Sequence, residues 1–332
     1  MNRLLLPFLF LTFATQAQNI LRVNNIPGVN APFSTIADAV AAASAGDIIL
    51  VEGSPFAYAA GISITKKLIL QGPGYFLNEN SSVQASKHPA LTSTITLAVG
   101  SEGSVISGFT FSNIIEVKTS NIIISNNRFS GSTGILVSNT TVCSNLLVQG
   151  NYFEQGVNAA LYNNPTSLVF TNVVVTNNYI SGKIMWQAPT FGTIKNNIIS
   201  HQSTVSNYDI ANNIFVTASS VFSSTTNATI RNNLFVATTV PEADGTNLLG
   251  VTLSSLFLGL AGNTPDTQWK LKVGSPAIGA GEGGIDCGIY SGVTPYKISG
   301  VGAGKPTITT ISLPANVPQN GTLNVKVSAK VN

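Results

Sequence analysis

Short apolar segments that end in the same polar pair recur along the middle of the chain. The second Asn of this pair returns every 16 to 27 residues, with a mean of about 21. A leader segment, VISGFTFS (105–112), has Gly in place of the first Asn. Self-similarity at such a period is typical of a solenoid. The six aligned copies are IIISNNRFS (122–130), LLVQGNYFE (146–154), VVVTNNYIS (173–181), GTIKNNIIS (192–200), YDIANNIFV (208–216) and ATIRNNLFV (228–236).

Apolar positions flank the polar pair in every copy. The first lies two residues before the pair, as at Ile124, and the second lies two residues after the second Asn, as at Phe129. If the copies stack at the strand spacing of about 4.8 Å, equivalent Asn side chains can hydrogen-bond to one another and to the backbone. Asn also tolerates the left-handed conformation of a sharp corner. We therefore predict a structural ladder of Asn127, Asn151, Asn178, Asn197, Asn213 and Asn233.

A coil of about 21 residues that turns at such corners predicts an all-β fold, a right-handed, single-stranded parallel β-helix. A propeller needs about 40 residues per blade, and a leucine-rich repeat would show its own template. A β-sandwich would not place the Asn residues in one register. We expect the β-helix to occupy residues 48–300.

The two ends of the repeat region differ from its middle. Ser34 or Thr35 is a suitable N-cap, and Ile36 and Val40 mark one helical face. Gly46 is a suitable stop. We therefore predict a strand and a short N-terminal capping helix in residues 18–47. At the other end, residues 301–332 contain two alternating segments, TITTISL and TLNVKVSAK. They predict a C-terminal β-hairpin that covers the last rung or extends outward as a tail.

The first 17 residues have the features of a secretory signal peptide. Arg3 precedes a short apolar core, and small residues favour cleavage near Ala17 and Gln18. This predicts a secreted or cell-surface bacterial protein with no membrane span once the signal is removed. The charge-free stretch 245–265 contains several Gly residues and is expected to form a buried β-rich segment.

The composition narrows the range of functions. Only 9% of the residues are charged, 44% are hydrophobic and 34 are Asn. A net charge of +3 without a basic cluster argues against a nucleic-acid partner. Cys143 and Cys287 are too few for a disulfide framework and are expected to be buried and unpaired. We expect a monomer without a cofactor.

Two further segments carry a resemblance to a known family. FSTIADAVAAASAGDIILVEGSPFAY (33–58) with KKLILQGPGYF (66–76) resembles the opening of pectate-lyase-like right-handed β-helix proteins. LKVGSPAIGAG (271–281) with IDCGIYSGVTPY (285–296) is similar to the closing segment of secreted bacterial β-helix proteins of unassigned function. The resemblance implies fold and export more firmly than chemistry, because that superfamily includes lyases, hydrolases, esterases and non-catalytic surface proteins.

The catalytic motifs of the enzymatic relatives are not found in the sequence. No Asp lies between Asp47 and Asp209, so the clustered carboxylates of a calcium-dependent lyase are missing. The polygalacturonase motifs and the Asp pair of pectin methylesterases are missing as well. His88 and His201 stand in no nucleophile pattern. We therefore predict no metal site and identify no catalytic residue.

One constellation of charges is a candidate for ligand binding. The position just before the Asn pair should point outward, and it contains Lys195 and Arg231. The position two residues earlier should also point outward, and it contains Asp209. The three side chains would then share one exposed face over about three rungs. Arg128 and Glu154 lie just around the corner. Ordinary surface charge is the alternative explanation.

These observations favour a non-catalytic secreted or cell-surface protein with a role in carbohydrate binding, adhesion or envelope structure. Its partner would be a polysaccharide or a cell-envelope glycan. The alternative is a carbohydrate-active enzyme, a lyase or hydrolase of acidic glycans. A solenoid that binds ice would need a regular Thr lattice, which the varying rung length disfavours.

Overall fold

The structure, a computed structural model, describes residues 18–59, 61–154, 158–164, 166–186, 190–301 and 306–331. In these residues the strands form three parallel sheets and one antiparallel pair. The predicted signal peptide, residues 1–17, lies outside the described residues.

The three parallel sheets, A, B and C, contain ten, eight and eight strands. Sheet A consists of β1 (Ile20–Val23), β2 (Ile48–Val51), β4 (Ile69–Gln71), β7 (Val105–Ser107), β10 (Ile122–Ser125), β13 (Cys143–Gln149), β16 (Phe170–Thr176), β19 (Thr190–Lys195), β22 (Tyr208–Ala211) and β25 (Thr229–Arg231). Sheet B consists of β3 (Ile62–Ile64), β6 (Ile95–Leu97), β9 (Ile115–Val117), β12 (Thr133–Val137), β15 (Ala159–Asn163), β18 (Lys183–Trp186), β21 (Ser203–Val205) and β24 (Phe222–Ser224). Sheet C consists of β5 (Ala90–Thr92), β8 (Phe109–Phe111), β11 (Arg128–Phe129), β14 (Tyr152–Phe153), β17 (Tyr179–Ile180), β20 (Ile198–Ile199), β23 (Ile214–Phe215) and β26 (Leu234–Phe235).

From β4 onward the chain visits sheets A, C and B in turn, so one turn of the coil, a rung, supplies one strand to each sheet. The aligned repeats pair in the register that the sequence predicts. Ile124 lies beside Val148, and Val148 lies beside Val175. The predicted parallel β-helix is confirmed.

The inner faces of the three sheets form one continuous apolar core. Ile124, Val148 and Val175 on sheet A are fully buried. On sheet C the rings of Phe111, Phe129 and Phe153 stack, with centroids 5.3 Å and 4.6 Å apart. Identical rungs therefore place identical side chains in contact, which is how a repeat too small to fold alone is stabilised by its neighbours.

The second Asn of each pair is buried at the corner between sheets A and C. Each Nδ2 donates to the Oδ1 of the equivalent Asn on the next rung, over 3.2 to 2.9 Å from Asn127 to Asn233. Each backbone N–H donates to that same Oδ1. The ladder also continues one step further than the repeat suggests, because Asn233 donates to Asn247 Oδ1 at 3.0 Å.

The first Asn of each pair makes the turn itself. Asn126, Asn177, Asn196, Asn212 and Asn232 all have φ between 52° and 60°, in the left-handed region. In the two copies that lack this Asn, glycine takes its place with positive φ, at positions 108 and 150. The first residue of the pair therefore turns the chain, and the second forms hydrogen bonds between neighbouring rungs.

We predict that Asn178→Ala destabilises the protein by about 2–4 kcal/mol, because it leaves several buried groups without partners. Asn178 Nδ2 donates to the carbonyls of Val148 and Thr176, and its Oδ1 accepts from Asn151. Urea unfolding measures the loss. Asn172→Gly is the control, since Asn172 is exposed and already has a φ of 53°. Equal effects of the two substitutions would contradict a stabilising role specific to the buried ladder.

A short helix covers the first rungs. Helix α1 (Ile36–Ala42) begins after Thr35, whose Oγ1 accepts from the N–H of Asp38 at 3.1 Å. Ile36, Ala39 and Val40 are buried and belong to the main core. The predicted N-cap and capping helix are confirmed.

Asp47, just before β2, ties the helix end to β1. Its Oδ1 accepts from the N–H of Asn19 at 3.0 Å, and its Oδ2 accepts from the N–H of Ser44 at 2.8 Å. These hydrogen bonds favour the carboxylate and lower the pKa of Asp47.

We predict that the stability difference between the wild type and Asp47→Asn depends on pH. Because the pKa of Asp47 lies below its usual 3.8 in the folded protein, its contribution is complete above that pH and is lost as the pH falls through the folded pKa. Thermal unfolding of both proteins from pH 7 to pH 2.5 should show the difference shrinking below about pH 4. A constant difference would rule out this linkage.

The coil ends earlier than the sequence suggests. The last strand of a parallel sheet is β26, whereas the β-helix was expected to extend to residue 300. Residues 250–301, here called the strap, form turns and four short 3-10 helices, at Leu253–Ser255, Thr267–Trp269, Glu282–Gly284 and Ile298–Gly300. The expected buried β-rich segment at 245–265 is also wrong: it contains isolated bridges in place of strands, and Leu253 and Leu260 are exposed.

The strap covers the outer face of sheet C. The residue directly after the second Asn points outward there and is apolar in five successive rungs, where it forms a second core with strap residues such as Phe257 and Tyr296. Tyr179 stacks on Trp269 of the strap with centroids 4.4 Å apart. The five covered residues are Tyr152, Tyr179, Ile198, Ile214 and Leu234.

The corner asparagines also hold the strap backbone. Asn177 Nδ2 donates to the carbonyls of Ile289 and Ser291, at 2.9 and 2.7 Å. The N–H of Glu282 donates to Asn212 Oδ1 at 2.8 Å. The strap therefore follows the same corner that the ladder forms.

The C-terminal hairpin, β27 (Pro306–Ser312) with β28 (Lys326–Val331), is confirmed, but its position differs from both alternatives that were considered. It lies beside the N-terminal rungs, where the N–H of Ala85 donates to the carbonyl of Ile308 at 2.7 Å.

Both thiols, Cys143 and Cys287, are buried and free, as predicted. In the part of the chain that the structure describes, no helix has the length and apolar character needed to span a membrane.

Candidate functional site

The structure brings the predicted charges of sheet A together. Lys195 Nζ lies 2.7 Å from Asp209 Oδ2, and Arg231 Nη2 lies 3.0 Å from the same oxygen. Parallel pairing causes this arrangement, because Asp209 lies on β22, between the strand of Lys195 (β19) and the strand of Arg231 (β25). The outward position before the corner is not exposed in every rung, because Ala211 is fully buried.

Sequence reasoning missed a fourth member of this cluster. Glu282 of the strap lies 2.7 Å from Arg231 Nη1 and 4.0 Å from Lys195 Nζ. The hydrogen bond with Glu282 raises the pKa of Arg231, and Asp209 adds to this effect. Two cations thus face two anions, so the cluster is neutral and joins the strap to sheet A.

Arg128 and Glu154 form a separate pair on sheet C. Arg128 Nη2 lies 2.6 Å from Glu154 Oε1, and the guanidinium carbon lies 4.7 Å from the ring centre of Phe76. Arg128 occupies the outward position that is apolar in the later rungs. Its contact with Phe76 and its carboxylate partner explain how a charge fits at the edge of the second core.

Other carboxylates of the coil are also held as anions. Glu102 accepts from the Thr119 hydroxyl, and this bond lowers its pKa. Burial acts to raise the pKa of Glu116, but hydrogen bonds from Ser138 at 2.5 Å and from Lys118 outweigh it, so the pKa is lowered. A carboxyl group with a lowered pKa is a poor general acid near neutral pH. Among the described residues no group of three or more His, Cys, Asp or Glu side chains could hold a metal ion.

We predict that Glu282→Gln loosens the strap without unfolding the coil. Glu282 is half exposed, so the lost ion pairs should contribute only about 0.2–1 kcal/mol. Hydrogen exchange at the amides of Glu282 and Gly288 should become a few-fold faster, and high salt should produce a similar change in the wild type. Glu242→Gln, at an exposed acid outside this cluster, is the control. Unchanged exchange would mean that backbone bonds alone hold this part of the strap.

A row of uncharged polar side chains lies on the outer face of sheet A. Gln71, Ser107, Ser125 and Gln149 occupy the same position on four successive rungs. They are half-buried, and none of the four side chains hydrogen-bonds to another described residue. The next member, Thr176, differs because its hydroxyl donates to Asn177 Oδ1 at 2.6 Å. We call these first four residues the polar row.

An aliphatic ridge runs beside the polar row, two residues earlier in each strand. It consists of Ile69, Val105, Ile123 and Leu147 on the same four rungs, and Ile123 is 36% exposed. A shallow groove of about 340 Å³ separates part of this ridge from a line of exposed asparagines. Asn145 donates to Asn121 at 2.7 Å, and Asn172 donates to Asn145 at 2.6 Å. Over these four rungs the outer face of sheet A is therefore amphipathic.

The sequence contains a signal for the polar row. Gln71 and Ser107 stand directly before Gly72 and Gly108, the same register that Ser125 has before its Asn pair. What the sequence does not reveal is which outward side chains already have partners inside the protein.

Comparison with known proteins gives no family. Neither the protein-family models nor the curated proteins contain a match to this chain.

Proposed function

We propose that the protein is a secreted or cell-surface β-helix protein that binds an extended, uncharged glycan on the outer face of sheet A, without catalysing a reaction on it. The observation that carries this proposal is the polar row: four aligned side chains with unused donors and acceptors. Groups of this kind, beside an apolar strip, are typical of binding sites for neutral polar ligands.

The amphipathic face suits a sugar chain for a chemical reason. A pyranose ring presents hydroxyl groups at its edge and C–H groups on its face. The polar row would bond the hydroxyl groups while the ridge contacts the C–H face. Rungs repeat at about 4.8 Å, a spacing close to the advance of one sugar unit in an extended glycan, so neighbouring units could meet equivalent side chains.

The state of the charges supports a neutral ligand over an acidic one. Lys195 and Arg231 already pair with Asp209 and Glu282, so attracting a uronate would mean breaking ion pairs within the protein. The same pairing supports binding over acid–base chemistry, because these carboxylates are engaged as anions. The family resemblance of the N-terminal and closing segments, and the predicted signal peptide, support export and a pectate-lyase-like relationship within this proposal.

The proposal predicts binding of at least one neutral hexasaccharide from the cellulose, xylan, laminarin, starch or chitin series by titration calorimetry. Gln149→Leu, which removes an amide of the polar row, should weaken that binding roughly three- to tenfold, as expected for one lost hydrogen bond. Gln202→Leu, a half-buried Gln between sheets C and B, is the matched control.

Two outcomes would contradict the proposal. Equal affinity of Gln149→Leu and the wild type would remove the polar row from the binding site. Release of unsaturated products from a uronate-containing polysaccharide, followed by ultraviolet absorbance, would favour the enzymatic alternative.

A further inference from the structure

A cleft lies at the N-terminal end of the polar row. Its volume is about 600 Å³, within the range of about 300–1,000 Å³ that is usual for small-ligand sites. Gln71 and Ser107, the first two members of the row, form part of its lining, together with Leu50 on the preceding rung. The row therefore leads directly into the cleft.

Three other parts of the chain enclose this end of the row. Loop residues Gln84 and Ser86 line one side, and Ile308 and Ile311 of the C-terminal hairpin line another. The hydrogen bond from Ala85 N–H to the Ile308 carbonyl holds these two sides together. Gly300 and Val301, at the end of the strap, complete this part of the lining.

A fixed carboxylate stands at the N-terminal end of the cleft. Glu52 Oε1 accepts from Arg22 at 2.7 Å, and Glu52 Oε2 accepts from Asn24 Nδ2 at 2.8 Å. Oε1 also lies 2.6 Å from Arg22 Nη2, so the further acceptor position of this carboxylate is on Oε2. Gln84 Nε2, in the lining of the same cleft, is buried and has no hydrogen-bond partner among the described residues. An unpaired buried amide costs free energy unless a ligand or water completes it.

Glycines keep the corner beneath the cleft narrow. A Cβ at Gly72 would lie 2.3 Å from the carbonyl oxygen of Gly108, and a Cβ at Gly108 would lie 2.5 Å from that of Gly72. Asn occupies this corner in the later rungs, where the strap bonds to its side chain. At Gly72 and Gly108 the neighbouring backbone leaves no room for a side chain, so the backbone of these two glycines lines the cleft.

We infer that the cleft is a terminal subsite, which holds the last one or two sugar units of the neutral glycan while the following units lie along the polar row. This inference rests on the proposed function and adds that the protein recognises a chain end. The carboxylate and the free amide bond the hydroxyl groups of the terminal unit. The aliphatic side chains of the hairpin and Leu50 contact its C–H face.

The test uses the hexasaccharide that binds the full chain and the disaccharide of the same linkage, both titrated by calorimetry. Gln84→Leu should weaken both ligands by about three- to tenfold, because both occupy the cleft. Gln149→Leu should weaken the hexasaccharide alone, because a disaccharide in the cleft does not reach β13. Ser86→Trp, which fills the cleft from the exposed loop, should abolish disaccharide binding; its thermal unfolding verifies that the coil is intact.

The outcomes separate the two proposals. If the wild type binds a hexasaccharide and Gln149→Leu weakens it, but Gln84→Leu and Ser86→Trp do not, then the glycan lies on sheet A and the terminal subsite is wrong. The terminal subsite is also wrong if long polymers compete with the hexasaccharide in proportion to their mass and not to their number of chain ends. If no glycan of the panel binds the wild type, the proposed function fails, and the subsite fails with it.

Discussion

From Asn151 to Asn233, each buried Asn at the corner between sheets A and C accepts two hydrogen bonds from the rung before it and donates to the rung after it. A strand cannot slip by one residue against its neighbour, because the buried Asn would then lose its place in the ladder to the adjacent residue, whose backbone is left-handed. The ladder thereby fixes the register of every strand that follows. The stacking of Phe129 on Phe153, the alignment of Lys195 with Asp209 and the polar row are all consequences of this register.

A fixed register gives sheets C and A different outer faces. On sheet C the outward residues are apolar over five rungs, so the face is covered, and the strap covers it with Tyr, Phe and Trp side chains. On sheet A the outward residues are amphipathic. There Asn177 and Asn212 hold the strap backbone at the corner and Glu282 pairs with Arg231, so the strap borders the face without burying the polar row. The strap thus covers the outer face of sheet C and leaves the polar row of sheet A available.

The repeat made the coil predictable because its signal is local and repeated. Asn127 to Asn233, the apolar columns and the capping helix follow from positions that recur or from a single cap at Thr35. The strap lacks a repeat, and its placement depends on side chains far away in the sequence, such as Tyr179 with Trp269, which are 90 residues apart. Glu282 could not be assigned to the charge cluster for the same reason. The apolar column at Tyr152 and Tyr179 was visible in the sequence, but a two-residue strand does not indicate what covers its outer face.

The low charge of the chain has a physical meaning in this arrangement. In the described clusters around Asp209 and Glu154, the charges have partners on a neighbouring rung or on the strap. The ion pairs therefore neutralise one another and create little long-range field. The glycan that we propose for the polar row would be held by short-range hydrogen bonds and by apolar contact, which act only when the shape of the ligand matches the rungs. A neutral, regularly repeating polymer meets this requirement better than a charged one, whose charge would find no unpaired partner in these clusters.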